Sequence, residues 1–235
     1  MAHTYNWNWS VLFQHPYLGW LISGAEVSLA LAACMWVLAF TLGSLVGVAS
    51  TLPNRYVRAL AAAYVEVLRN IPPIVQIFVW YFVVPQLLPP ALGMYVKRDL
   101  PHSAFWTAVV GLGLFISARV AEHVRAGIEA IPRSLVQASL ATGLSAAQSY
   151  RHVRLPIAYR NIVPVLTSEF LICFKVSAIA LTIGVMEMTA QSRQVEFYTA
   201  HGIEAFTAAT LFYLVFSAIF SVGTTFAERA MRIRG

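Results

Sequence analysis

Long stretches without Asp, Glu, Lys or Arg recur along the chain and predict membrane-spanning helices. A helix needs about 20 apolar residues to cross the hydrocarbon core of a bilayer. Five stretches come close to that length or exceed it: residues 27–54, 70–96, 100–118, 161–186 and 205–227. The fourth is the weakest because Glu169 and Lys175 interrupt it. We therefore predict an all-α integral membrane protein with about five transmembrane helices.

The composition supports this prediction and argues against a soluble protein. Hydrophobic residues make up 59% of the chain and charged residues only 11%, whereas about a quarter of the residues in a typical soluble domain are charged. Too few charges remain to solvate the surface of a soluble helical domain. No hydrophilic run is long enough for a second domain, so we predict one transmembrane domain. Its predicted parts are an outer interfacial arm (1–19), spans one to three (20–131), a polar hairpin (132–156) and spans four and five (157–235).

The net charge of +6 is distributed in a way that predicts membrane topology and not a nucleic-acid partner. If the spans alternate in direction, ten basic residues fall on one side: Arg55, Arg58, Arg125, Arg133, Arg151, Arg154, Arg160, Arg229, Arg232 and Arg234. The other side receives only Lys97, Arg98 and Arg193. Lys and Arg accumulate on the cytoplasmic face of membrane proteins. We therefore expect the amino terminus outside and the carboxyl terminus inside.

The second span begins with a predicted break. Pro72 and Pro73 directly follow Glu66 and Arg69, which could pair at i, i+3 spacing. Proline removes a backbone donor and clashes with the preceding turn, so a helix from about Arg58 should kink or pause near Ile71. Two interpretations remain open: a surface helix that ends before a new span, or a broken helix at a gate.

Residues 132–156 are polar and predict a helical hairpin where a membrane protein would usually have a plain loop. Gly143 is placed to close the first helix. Two capping boxes of the Ser-x-x-Gln type are predicted to start the helices, Ser134 with Gln137 and Ser145 with Gln148. Such short helices are marginal in water by themselves. They need a partner surface or the ends of the bundle, although a simple structured loop remains an alternative.

Several segments carry a resemblance to a known family. They include Gln137-Ala138-Ser139, Gly143-Leu144-Ser145, Val153-Arg154-Leu155-Pro156 and, upstream, the run over residues 66–76. The chain resembles bacterial ABC importer permeases of the polar amino acid class over essentially its whole length, and it is most similar to glutamate/aspartate import permeases. The resemblance implies a type I ABC importer permease fold in which the hairpin is the cytoplasmic coupling helix. The implied contacts to the ATPase are Gln137, Ala138, Ser139, Gly143, Leu144, Ser145, Leu155 and Pro156.

The same resemblance implies a function and a set of partners. The chain would be the permease subunit that moves polar amino acids, with glutamate and aspartate preferred, across the bacterial inner membrane. The implied partners are two copies of an ABC ATPase, a second homologous permease, a periplasmic amino-acid-binding protein and the lipid bilayer. The chain lacks a G-x-x-x-x-G-K-[ST] phosphate cradle, so we expect no ATPase activity and no bound cofactor, with ATP and Mg on the partner. We also expect no metal site. Val176 and Ser177 depart from the family pattern and weaken the transfer of substrate details.

Polar residues inside the apolar spans are candidates for the substrate pathway, because charges facing lipid are costly. Lys175 lies seven residues after Ser168 and seven before Thr182, so the three should share a helical face. The candidate pathway residues are Glu66, Arg69, Ser168, Glu169, Lys175 and Thr182. The alternatives are a structural bridge between Glu169 and Lys175, or a Lys175 side chain that extends to the inner face of the membrane.

Two other classes of function remain as alternatives. An ion-coupled secondary amino acid transporter would show inverted repeats and would work without an ATPase. An intramembrane enzyme would place paired catalytic groups at one depth of the membrane. Only Glu169 and Lys175 come near that condition in the sequence.

Overall fold

The computed structural model describes the backbone of residues 5–231 and the side chains of residues 5–226, and all regular secondary structure in this part of the chain is helical, without a strand. A 3₁₀ turn (Trp9–Phe13) precedes the first helix. The α-helices are α1 (Tyr17–Ala49), α2 (Arg55–Asn70), α3 (Pro73–Phe78), α4 (Val84–Leu87), α5 (Pro90–Met94), α6 (Ser103–Glu129), α7 (Arg133–Ala141), α8 (Ala146–Ser149), α9 (Leu155–Val176), α10 (Met188–Thr199) and α11 (Gly202–Met231). Single π-helical turns (Val79–Val83, Tyr95–Asp99 and Tyr150–Arg154) link some of them, and a 3₁₀ helix (Ser177–Ile183) extends α9.

Four helical segments are long and apolar enough to cross a membrane: Tyr17–Ala49, Ser103–Glu129, Ala146–Ile183 and Gly202–Phe226. A fifth candidate is the pair Arg55–Asn70 and Pro73–Leu87, which is bent by 101°. The prediction of about five spans is therefore confirmed. The first span begins at Tyr17, three residues before the predicted start at residue 20. The stretch without charged residues starts only at residue 27, because the exposed Glu26 lies on the surface of this continuous helix. Of the predicted basic residues, Arg232, Arg234 and the side chain of Arg229 lie outside the described residues.

Helices α1, α6 and α9 form the centre of the bundle. Small residues allow α1 to approach α6 closely: a Cβ atom on Gly43 would lie 2.6 Å from the Ser117 carbonyl oxygen, and one on Gly47 would lie 2.6 Å from that of Ala121. On the other side of α6, a Cβ atom on Gly127 would lie 2.6 Å from Ile162 of α9. Small residues permit such close packing of helices in membranes. The Gly43 and Gly47 pair therefore forms the α1–α6 contact.

The predicted break after α2 is confirmed. Helix α2 starts at Arg55, where Asn54 Oδ1 accepts a hydrogen bond of 2.9 Å from the Tyr56 amide. It ends at Ile71, whose backbone is extended. The buried Gln76 side chain reaches back and donates from Nε2 to the Leu68 carbonyl at 2.6 Å and to the Ile71 carbonyl at 3.0 Å. These bonds satisfy carbonyl groups that the helix end leaves free.

The amino-terminal arm packs on the far end of the bundle from the hairpin. Val11 and Leu12 are buried in a second apolar cluster with Met188 of α10 and Ala205 of α11. The indole and phenyl rings of Trp7, Trp9 and Phe13 remain exposed. Exposed aromatic rings suit the interface between lipid and water, as predicted for residues 1–19, although α1 already begins within that segment.

Candidate coupling hairpin and transmembrane charge cluster

The segment between α6 and α9 folds as a helical hairpin. Helix α7 is followed by Gly143, whose φ of +88° is the left-handed conformation that a closing glycine adopts. The Ser145–Gln148 capping box is formed, with the Ser145 amide donating to Gln148 Oε1 at 2.8 Å. The predicted Ser134–Gln137 box is wrong. Helix α7 begins at Arg133 directly after Pro132, whose fixed φ sets the turn without a side-chain cap.

Hydrogen bonds hold the hairpin together and attach it to the bundle. Ser139 Oγ and Ser149 Oγ are buried and lie 2.6 Å apart, which joins α7 to α8. The Tyr150 hydroxyl donates to the Thr51 carbonyl at 3.0 Å and contacts Thr51 Oγ1 at 2.9 Å. Because Thr51 lies two residues beyond the end of α1, the hairpin is bonded to that end of the bundle as well as covalently continuous with α6 and α9.

Most of the predicted coupling residues are accessible. Gln137, Ala138, Gly143, Ser145 and Pro156 are exposed, while Leu144 and Leu155 are partly buried. Ser139 is buried and serves inside the hairpin. The exposed face also presents two leucines that the sequence analysis did not single out, Leu135 and Leu140. Exposed apolar side chains on a hairpin outside the bundle fit a docking surface for a protein.

A partly buried ionic cluster joins α6 to α9. Glu169 of α9 accepts a bidentate pair of hydrogen bonds from Arg119 of α6, from Nε at 2.9 Å and from Nη2 at 2.9 Å. His123 Nε2 lies 2.8 Å from Glu169 Oε1. Since an ionised carboxylate can only accept, His123 donates from Nε2 in this arrangement. Arg119 and His123 lie on another helix, 50 and 46 residues from Glu169 in the sequence, so spacing within one helix could not reveal this cluster. Further along α6, Arg125 pairs with Glu122 and Glu129.

The predicted pathway residues do not form one constellation. Ser168, Lys175 and Thr182 are all exposed on the chain surface, and Glu169 is buried and pairs with Arg119 and His123, not with Lys175. The alternative of a structural Glu169–Lys175 bridge is therefore wrong.

The predicted partners Glu66 and Arg69 are both exposed. The Glu66 carboxylate accepts a hydrogen bond of 2.7 Å from the Asn70 side chain. Among the ion pairs of the described residues, none joins Glu66 to Arg69.

Two further buried carboxylates stabilise the end of the bundle opposite the hairpin. Glu187 caps α10 through the Thr189 and Ala190 amides and accepts a hydrogen bond of 2.8 Å from the Tyr213 hydroxyl. Glu204 accepts one of 2.7 Å from the Asn8 amide and another from the Tyr5 hydroxyl. The bond to this carboxylate raises the pKa of the Tyr5 hydroxyl. These contacts fix the arm and α10 in place, and no local sequence motif indicates them.

Comparison with known proteins identifies the family. Residues 39–233 match the family model described as binding-protein-dependent transport system inner membrane component. The chain is 46% identical to the glutamate/aspartate import permease protein GltJ of Escherichia coli (strain K12), over 98% of this chain and 97% of that protein. It is 29% identical to the glutamine transport system permease protein GlnP of the same strain, over 96% and 98% of the two chains. A crystal structure of an amino acid ABC transporter superposes with a TM-score of 0.84 at 27% identity, over 97% of this chain and 100% of that one. The predicted ABC permease fold is confirmed, and the chain belongs to the family of binding-protein-dependent transport system inner membrane components.

Proposed function

We propose that the chain is the transmembrane permease subunit of an ATP-driven importer whose substrates are glutamate and aspartate. The observation that carries this proposal is the exposed hairpin in a chain of this family. The hairpin is attached to the bundle at three points: α6, α9 and the residues after α1. The choice of substrate is supported by the 46% identity to a glutamate/aspartate permease, compared with 29% to a glutamine permease.

The proposed mechanism transmits force through the hairpin. An ATPase subunit binds the exposed surface of α7 and α8, and closure of the ATPase pair around ATP and Mg displaces that surface. The hairpin is continuous with α6 and α9 and hydrogen-bonded to the end of α1. A displacement of the hairpin is therefore passed to three spans together, and these spans alternate between outward- and inward-facing arrangements. The chain contributes no phosphate-binding motif, so ATP hydrolysis belongs to the partner.

The proposed orientation in the membrane is based on the basic residues at the hairpin end of the bundle. Arg58, Arg133 and Arg154 line one cleft at the hairpin together with Thr51. A basic end of a membrane protein faces the cytoplasm, where an ATPase would meet it. The amino-terminal arm and α10 then lie outside, where an external binding protein delivers substrate. A second, homologous permease completes the passage, along the exposed faces that carry Glu66, Arg69, Ser168, Lys175 and Thr182. The buried Glu169 takes part through its ion pair with Arg119.

The proposal is tested by uptake into vesicles that contain the chain, its sister permease and the ATPase, with the binding protein outside. Ala138→Arg places a bulky charge on the exposed face of α7 and should abolish copurification of the ATPase and glutamate uptake. Ala91→Arg adds the same charge to an exposed position of α5 and is the matched control, with uptake expected at the wild-type level. Normal uptake in Ala138→Arg vesicles would contradict the docking role. Uptake without any ATPase would overturn the importer and favour an ion-coupled transporter.

A further inference from the structure

The Arg119 guanidinium has hydrogen-bond donors that Glu169 does not use. Arginine carries five N–H groups in a fixed fork, and Glu169 takes two of them, one on Nε and one on Nη2. The described part of the chain offers no acceptor to the other three. The Arg119 side chain is 35% exposed, and that of His123 is 31% exposed, whereas that of Glu169 is only 3% exposed. The Glu169 acceptor is therefore buried, while the unused N–H donors of Arg119 are partly accessible.

The depth of the cluster argues against lipid as the surroundings of those donors. Arg119 lies about 24 Å from the start of α6 and about 15 Å from its end, at 1.5 Å per residue. An arginine at such a depth faces a bundle interior or a wet cavity, because exposure to hydrocarbon is costly.

We propose that Arg119 is a carboxylate-binding residue of the passage and that it receives the side-chain carboxylate of an acidic amino acid in transit. Glu169 and His123 act as positioning residues. The bidentate bond to Glu169 fixes the plane of the guanidinium and directs its free edge outward, and a carboxylate fits such an edge with two parallel hydrogen bonds. This inference rests on the proposed function and gives Glu169 another role than binding the substrate ammonium, because its side chain is only 3% exposed.

The decisive measurement is the amount of glutamate taken up per ATP hydrolysed in the same vesicles. Arg119→Gln should lower this ratio by about tenfold to a hundredfold, the effect expected when hydrogen bonds to a charged group are lost, while ATP hydrolysis stimulated by the binding protein stays within about twofold. Arg119→Lys keeps the charge but loses the fork and should fall between Gln and wild type. Arg125→Gln is the matched control on the same helix, because Arg125 has the same 35% side-chain exposure as Arg119 but pairs with two carboxylates of its own helix, Glu122 and Glu129. It should keep the wild-type ratio.

A charge reversal separates substrate binding from helix packing. Arg119→Glu combined with Glu169→Arg restores the ion pair between α6 and α9 but leaves no cation fixed on α6 at this position. The proposal expects an assembled, ATP-hydrolysing complex without glutamate uptake. Wild-type uptake by the reversed pair or by Arg119→Gln would overturn the inference. Equal ratios of uptake to ATP hydrolysis for Arg119→Lys and Arg119→Gln would overturn it as well. If the reversed pair does not assemble, the Lys and Gln variants decide. Absence of uptake by the wild-type assembly would instead refute the proposed function.

Discussion

The close contact between α1 and α6 predicts a loss of stability when Gly43 is enlarged, and the interatomic distances set the size of that loss. A Cβ atom added to Gly43 would lie 2.6 Å from the backbone oxygen of Ser117, and ordinary contact begins at 3.4 Å. The obstacle is backbone of a helix, so rotation of a side chain cannot relieve it. Gly43→Ala must therefore move α1 from α6 by about 0.8 Å, the difference between those two distances. A gap of this size forfeits about a quarter to a half of the dispersion energy of the atoms that line it.

Overpacking of this kind costs about 1–3 kcal/mol. For a chain of this length, 1 kcal/mol corresponds to about 2–4 °C in the melting temperature. Gly19→Ala is the matched control, since Gly19 lies in the same helix with nothing within 4 Å of its added Cβ. Both variants replace a glycine of α1 by alanine, so their difference reports chiefly the contact with α6. Gly43→Ala should therefore melt about 2–12 °C below Gly19→Ala.

The assay is thermal unfolding of the purified chain in one detergent at one scan rate. Gly47→Ala should behave like Gly43→Ala, because its Cβ would meet the Ala121 oxygen at 2.6 Å. The double variant should lose less than the sum of the two, since one separation of the helices relieves both clashes. Equal melting temperatures for Gly43→Ala and Gly19→Ala would refute the assignment of this contact.

Two further predictions concern the break and the hairpin. Gln76→Leu removes the amide that satisfies the carbonyls at the end of α2. We expect the free energy of unfolding to fall by about 1–3 kcal/mol, measured as a lower melting temperature. An unchanged melting temperature would mean that water replaces the amide. Gly143→Ala meets no neighbour within 4 Å but must keep a φ of +88°, which costs about 1–2 kcal/mol. It should increase proteolytic cleavage of the hairpin, whereas Gly143→Asn, which tolerates this conformation better, should cleave more slowly than Gly143→Ala.

The sequence predicts those features that depend on neighbouring residues. The apolar stretches, the break at Pro72 and Pro73, and the cap at Ser145 all follow from hydropathy or local backbone chemistry, and the structure contains them. The cap at Ser134 fails because Pro132 caps the helix two residues earlier. The fixed φ of the proline determines the start of the helix more strongly than the side chain of Ser134.

The ionic cluster could not be predicted in this way. Arg119 and Glu169 are 50 residues apart, and their pairing depends on the register between α6 and α9. That register is set by packing contacts such as Gly127 against Ile162. Spacing within one helix placed Lys175 near Ser168 but could not show which helix would face Glu169. A charge in an apolar span can therefore be recognised as unusual from the sequence, while its partner comes only from the tertiary structure.

The arrangement of rigid and interrupted segments indicates where the proposed motion would occur. Helices α1, α6 and α9 are locked by backbone-close contacts, by the Arg119–Glu169 pair and by the Tyr150–Thr51 bond at the hairpin, so a force on the hairpin would displace them as one body. The α2–α3 segment is interrupted by the bend of 101° at Ile71, and α9 changes to a 3₁₀ helix at Ser177. Changes in backbone angle cost least where helical hydrogen bonding is already broken. These two points would therefore absorb the motion while Arg119 keeps its orientation, and access to its free donors would change without any change in the site itself.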